Sequence, residues 1–196
     1  MNRVHRLRLA VVLCATLAAA SCASPDPKLY TIAPLPGAEL SGAPKVVALH
    51  TVGTPRYLQR NQIVRSSEDY RLDLRSNEWW GEPLDAMLGR VLMEDLTQRL
   101  PQSTIYTSSG AVTGSPDATI EVQLQRLDLD RTGNLLLIAQ GSVSFKNKAS
   151  PNTRNFHISQ PLPSPGAEGQ VAATSVALAQ VADRIAGMLA NEPDRR

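Results

Sequence analysis

The residues that could do chemistry in this chain are few. Two cysteines, Cys14 and Cys22, and three histidines, of which His50 and His157 lie beyond the first forty residues, are the candidate nucleophiles, bases and metal ligands. His50 and His157 have no Cys or acid at metal-ligand spacing. Asp128 and Asp130 stand two apart where a strand meets a turn, a spacing that suits a solvated hairpin end better than an acid/base pair. There is no G-x-S-x-G elbow, P-loop or G-x-G-x-x-G, so acyl hydrolysis and nucleotide binding lack their usual marks. The one side chain in a reactive context is Cys22. It directly follows Ala19-Ala20-Ser21, and a thiol after small residues is a candidate for acylation rather than for catalysis.

The elements upstream of Cys22 support that chemistry. Arg3, Arg6 and Arg8 form a basic start and Leu9 to Ala20 an apolar run of about a dozen residues, whereas a bilayer-crossing helix takes about 20. This is the layout of a secretory signal, and its small-residue end before a cysteine resembles the bacterial lipobox. In a lipobox the thiol receives a diacylglycerol and cleavage leaves the cysteine as a new N-terminus that is then N-acylated. Residues 1–21 are therefore expected to be removed, with Cys22 the lipidation site, palmitate a typical acyl chain, and no other cofactor. Position 19 is Ala where Leu is usual. Cys14 leaves with the signal, so the mature chain has no disulfide.

Charge excludes another class. The chain has 20 basic and 18 acidic residues; without Arg3, Arg6 and Arg8, 17 basic face 18 acidic, a formal charge of −1. Nucleic-acid binding needs a clustered basic face, which is missing.

The rest of the chain, about 175 residues, suits one domain. Residues 22–44, rich in proline and glycine, are expected to be a lipid-anchored tether, with Leu29-Tyr30-Thr31-Ile32 as a candidate edge strand. The domain is expected over 45–196. Lys45 to Val52 reads as a buried strand. Ile63 to Arg65 and Tyr70 to Arg75 read as a strand pair, with Tyr70, Leu72 and Leu74 on the packed face. Leu84, Met87, Leu88, Val91, Leu92, Leu96 and Leu100 make a helical stripe between Pro83 and Pro101, with Asp85, Arg90, Glu94, Asp95 and Arg99 on the remainder. Thr104 to Thr107 reads as a short strand. Ala118, Ile120, Val122 and Leu124 continue out of phase at Leu127 and Leu129, which predicts a bulge near Gln125 and Arg126. Leu135 to Lys146 returns as a hairpin, Asn155 to Ser159 adds a strand, and Gln170 to about Asn191 is a second, alanine-rich helix. A frayed tail follows from Glu192. The fold class is α+β, a two-layer sandwich: a mostly antiparallel mixed sheet with two amphipathic helices on one face. Trp79-Trp80 is placed at a helix start, where neighbouring indoles point about 100° apart; one is expected in the core and one over an edge, with Trp80 the candidate partner contact.

Pro55-Arg56-Tyr57-Leu58, Arg60-Asn61-Gln62-Ile63-Val64-Arg65, and Asn77-Glu78-Trp79-Trp80-Gly81-Glu82-Pro83-Leu84 with the helix after it resemble the ABC-type transport auxiliary lipoprotein family, the PqiC-like, Mce-associated lipoproteins. Trp80-Gly81 departs from it where Ala is common, and Leu29 where a second Tyr is frequent. The resemblance implies a non-enzymatic lipoprotein that works with an Mce-domain periplasmic protein and its ABC permease and ATPase, in phospholipid trafficking and envelope integrity. Tyr57, Trp79 and Trp80 are its candidate partner-binding residues. Phospholipid as a direct ligand and a homo-oligomer are compatible with it, without a subunit count. Ala23 and Ser24 follow Cys22 in place of the Asp that retains enterobacterial lipoproteins at the inner membrane, so the expected location is the periplasmic face of the outer membrane. The alternative is an envelope assembly or stability lipoprotein with no transport role.

Overall fold

The computed structural model describes residues 26–111 and 114–191. The expected signal, Cys22 and the tail from Glu192 lie outside the described residues.

The sheet is organised on its longest strand, β6 (Ala118–Leu129). Along one side, β7 (Leu135–Phe145) pairs with it antiparallel from Ala118↔Phe145 to Leu129↔Leu135. The register slips between Leu124 and Arg126, where the phase of the apolar residues changes. β8 (Asn152–Gln160) adds antiparallel to β7. The other side of β6 is shared. β2 (Val46–Leu49) runs parallel to its beginning and carries β5 (Thr104–Thr107) beyond it, while β3 (Gln62–Ser66) meets its far end at Ser66↔Leu129. β4 (Asp73–Trp80) pairs antiparallel with β3, and β1 (Lys28–Tyr30) lies parallel to β4 as an edge. The long ladders are antiparallel and the short ones parallel, as expected for an α+β mixed sheet.

Helix α1 (Leu84–Arg99) starts after Pro83 and ends at Leu100, before Pro101. Its whole apolar stripe, Leu84 to Leu100, is buried. Helix α2 (Gly166–Ala190) begins a turn earlier than expected, directly after Pro165, and packs on α1 and on β6, β7 and β8. Sixteen of its 25 residues are buried, and its small alanines let the helix pack closely, so its inner face is wider than the expected single stripe. Gly141 has a packing role: a Cβ there would stand 2.5 Å from the ring of buried Phe156. Among the described residues, no helix is long and apolar enough to cross a membrane.

Three expectations are corrected. First, residues 28–44 do not hang free as a tether. β1 forms, and the chain after it packs on the domain, with Ile32 1% exposed and Leu40 and Ala43 against the core. Second, Tyr70 and Leu72 are not on a packed face: they are 109% and 42% exposed. The β3–β4 ladder starts only at Ser66↔Asp73, and Ser66 is already opposite the last residue of β6, so the tip of the turn projects past the end of the sheet ladder. Asp69 and Tyr70 both adopt left-handed backbone there, φ 56° and 61°, a conformation that costs non-glycine residues about 1–2 kcal/mol each. Third, Trp79 and Trp80 end strand β4 rather than starting a helix, so their indoles point to opposite faces of the sheet.

Candidate functional site

The slip in β6 puts Arg126 and Asp128 on the same face, opposite Leu127 and Leu129. Asp128 is fully buried, contrary to the solvated hairpin end expected for it. Its carboxylate accepts hydrogen bonds from Tyr57 Oη (3.1 Å), Ser67 Oγ (2.7 Å) and Arg126 Nε (2.9 Å). Arg126 also holds Glu68 at 2.6 Å, and Arg131 reaches both Glu68 (3.2 Å) and Asp69 (2.7 Å). The hydrogen bond from Arg126 holds the Glu68 carboxyl below its usual range. Burial, then the Asp128 charge, pushes the Tyr57 phenol up. Burial works against the charge on Arg126, but its bonds to Glu68 and Asp128 outweigh that and raise it. Charges saturated in this way are poor acids and bases. What the cluster does is clamp the β3–β4 turn to the β6–β7 end. Asp130, by contrast, is half-buried and stays within its own turn, accepting from the Thr132 amide (2.8 Å) and hydroxyl (2.7 Å) and the Asn134 amide (3.1 Å).

Tyr57→Phe tests the clamp. Asp128 would lose one of its donors while keeping Ser67 and Arg126, so unfolding free energy is expected to fall by about 1 kcal/mol. Urea titration measures it, and an unchanged midpoint would count against the bond.

The histidines stay apart. His50 faces Glu121 at 3.4 Å on the surface, and His157 is exposed on β8. Among the described residues, no three His, Cys, Asp or Glu side chains gather as a metal site.

The sequence-derived contact residues do not form one patch. Tyr57, on a 3-10 turn at Arg56–Leu58, is half-buried with its hydroxyl committed to β6. Trp80 is 7% exposed within the core. Trp79 is half-buried, its Nε1 donating to Ser76 O (3.3 Å), in register with exposed Leu29 of β1. Of the two indoles, only Trp79 has surface to offer a partner.

A second feature went unseen in the sequence: the lock that holds the N-terminal segment on the helices. Asp95 and Arg99, placed on the polar remainder of α1, are 0% and 1% exposed. Asp95 Oδ1 accepts from the Leu35 amide (2.7 Å). Arg99 donates through Nη1 to the carbonyls of Leu35 and Asp95 (both 3.0 Å), through Nη2 to Ala179 O (3.3 Å), and through Nε to Asp183 on α2 (2.6 Å). Gly37 lies against the guanidinium so closely that a Cβ would come within 2.4 Å of Arg99 Cζ. Further along, the Leu40 amide donates to Arg99 O (2.7 Å), and the Ala33 amide to Ser175 Oγ (3.2 Å). One guanidinium therefore joins both helices to the stretch leading back to Cys22. The i,i+4 spacing of Asp95 and Arg99 was the only hint of it.

The geometry describes a domain closed over its own N-terminal segment, and among the described residues no nucleophile, base and third group are brought together. Comparison with known proteins agrees in fold. An uncharacterized protein of known crystal structure superposes with a TM-score of 0.68 at 20% identity, covering 84% of this chain and 99% of its own. Protein XCC0632 from Xanthomonas campestris superposes equally well, TM-score 0.68 at 14% identity, over 85% of this chain and 95% of its own. No curated protein matches the sequence significantly. The matched family spans residues 30–186, from the end of β1 into the last turns of α2, and so includes the locked segment as well as the sheet. The chain belongs to the family of ABC-type transport auxiliary lipoprotein components.

Proposed function

We propose that the protein is a non-enzymatic lipoprotein subunit of an Mce-type ABC lipid transport system, held by diacylglycerol and an N-acyl chain on Cys22 at the periplasmic face of the outer membrane. In this reading it receives or steadies the far end of a periplasmic Mce-domain protein, whose permease and ATPase lie at the inner membrane, and so supports phospholipid trafficking and envelope integrity. The observation that carries it is the family match combined with the closure of the domain onto its own N-terminal segment: five residues of chain separate Cys22 from Lys28 of β1. A docked module on so short a leash is kept close to a membrane surface. More than one acyl chain makes such attachment stable. Trp79 and the outer part of Tyr57 are the proposed partner contacts, and Trp80 belongs to the core.

The test is affinity capture from detergent-solubilised membranes, followed by mass spectrometry of proteins and lipids. An Mce-domain protein and its permease are expected with the wild type and lost with Cys22→Ser, which releases the domain from the membrane. Acylated protein recovered with envelope assembly factors and no transport component would support the reading without a transport role instead.

A further inference from the structure

Among the described residues, the large hydrophobic side chains that stand exposed are Leu29, Tyr70 and Leu72, and all three belong to one arm of the sheet, β1 with the β3–β4 hairpin. Tyr70 is the extreme case, fully in solvent at the tip and held there by left-handed backbone. The acids of the tip are already neutralised, Asp69 by Arg131 and Glu68 by Arg126 and Arg131. The Arg71 guanidinium, between Tyr70 and Leu72, makes no hydrogen bond or ion pair among the described residues. An exposed Tyr-Arg-Leu whose acidic neighbours are tied back has the composition of a bilayer-interface contact: an aromatic that sits at headgroup level, an aliphatic below it, and an arginine suited to lipid phosphate.

The direction of β1 points to the same end of the molecule. β1 is parallel to β4 with Lys28 opposite Glu78, so its upstream end faces the start of β4 at Asp73 and the tip beyond. The six residue-to-residue steps from Cys22 to Lys28 span at most about 20 Å. The run of β4 from Glu78 back to Asp73 spans about 17 Å. A leash extended along β4 would bring Cys22 to the level where β4 begins, next to the tip.

We propose that the β3–β4 tip, residues 67–72, is a second membrane contact, with Tyr70 and Leu72 in the headgroup region of the bilayer that holds Cys22 and Arg71 on its phosphates. This rests on the acylation of Cys22 in the reading above. A lone anchor leaves the domain free to swivel; an anchor and a tip together set its orientation. The end carrying the β7–β8 turn then faces away from the bilayer, toward any partner crossing the periplasm.

The experiment uses full-length acylated protein, purified from membranes and reconstituted in phosphatidylethanolamine–phosphatidylglycerol vesicles. Tyr70→Cys and Leu72→Cys are each labelled with an environment-sensitive dye, Cys22 being blocked by its own thioether, and Ser150→Cys in the β7–β8 turn is the reference. Two tip positions are used so that one misfolded variant, detected by far-UV circular dichroism, does not decide the result. The dyes at 70 and 72 are expected to lose fluorescence when the vesicles contain lipid with a shallow nitroxide, and the dye at 150 to keep it. Equal quenching at all three positions, with acyl chains present by intact mass and the protein retained on vesicles, would overturn the tip contact and leave the anchor standing. Shielding of 70 and 72 without lipid quenching, appearing only at high protein density or with a captured partner, would overturn the bilayer as occupant in favour of protein. Protein without acyl chains would fail the anchor first, and the tip contact with it.

Discussion

Arg99→Met is expected to lower the unfolding free energy by about 3–5 kcal/mol, the usual cost of removing one member of a buried ion pair. Among the described residues, Arg99 is the one side chain that bonds the N-terminal segment and both helices together, through Leu35, Asp95, Ala179 and Asp183. Methionine fills much of its volume, so the loss would come from polar groups rather than from a cavity. Asp95 suffers most. Burial raises its carboxyl above the usual range, while the Leu35 amide and the Arg99 charge oppose that rise, and its Oδ2 has no partner among the described residues. The sign of the pH dependence follows. A carboxyl whose native value is raised takes up a proton on folding between its unfolded and native values, so its contribution to stability falls as pH rises through that window. Arg99→Met should therefore be less damaging in acid, where Asp95 is protonated, than at neutral pH. Asp95→Asn, which keeps an oxygen for the Leu35 amide but carries no charge, should gain on the wild type as pH rises and should recover part of the Arg99→Met loss. Urea titrations of the wild type, both single variants and the double variant across pH give the coupling. Additive single effects would show that the two residues do not act as a pair.

The second large effect is at the adjacent tryptophans. Trp80→Ala is expected to cost about 3–5 kcal/mol, as for other large aromatics removed from a packed core. Trp79→Ala, which loses a half-buried ring and a single hydrogen bond, should cost about 1–2 kcal/mol. The functional effects should run the other way: Trp79→Ala weakens capture of the partner while the protein stays folded, and Trp80→Ala reduces the amount of folded protein. Guanidinium titrations resolve the two, and equal losses would contradict the opposed strand faces on which the argument rests.

Much of this architecture was legible in the sequence where a pattern is local. The α1 stripe between two prolines, the phase change that marks the β6 bulge, and the Leu-Tyr edge strand all emerged in place. Alternation was less reliable, because it tells which residues share a face and not whether that face meets anything. Tyr70 and Leu72 alternate correctly and still face water, since the sheet has ended beneath them. The tryptophans read as a helix start because Pro83 marks where α1 begins but says nothing of how close a strand approaches it. The buried charges were the hardest to read. Asp95 meets Leu35 across 60 residues and Arg99 meets Asp183 across 84, so nothing near either one distinguishes it from a solvated helix charge. The proline-rich segment before β2 misled for the same reason. Its prolines do exclude a helix, but its amides find partners on α1 and α2 instead of water.

Intact-mass analysis of the mature protein, isolated from membranes, tests the central claim most directly. The expected product is a chain that begins at Cys22 and carries a diacylglycerol and an N-linked acyl chain, heavier than the bare polypeptide by those groups. A product beginning at any other residue, or one with the mass of the unmodified chain, would contradict a domain held at the bilayer by its own first residue.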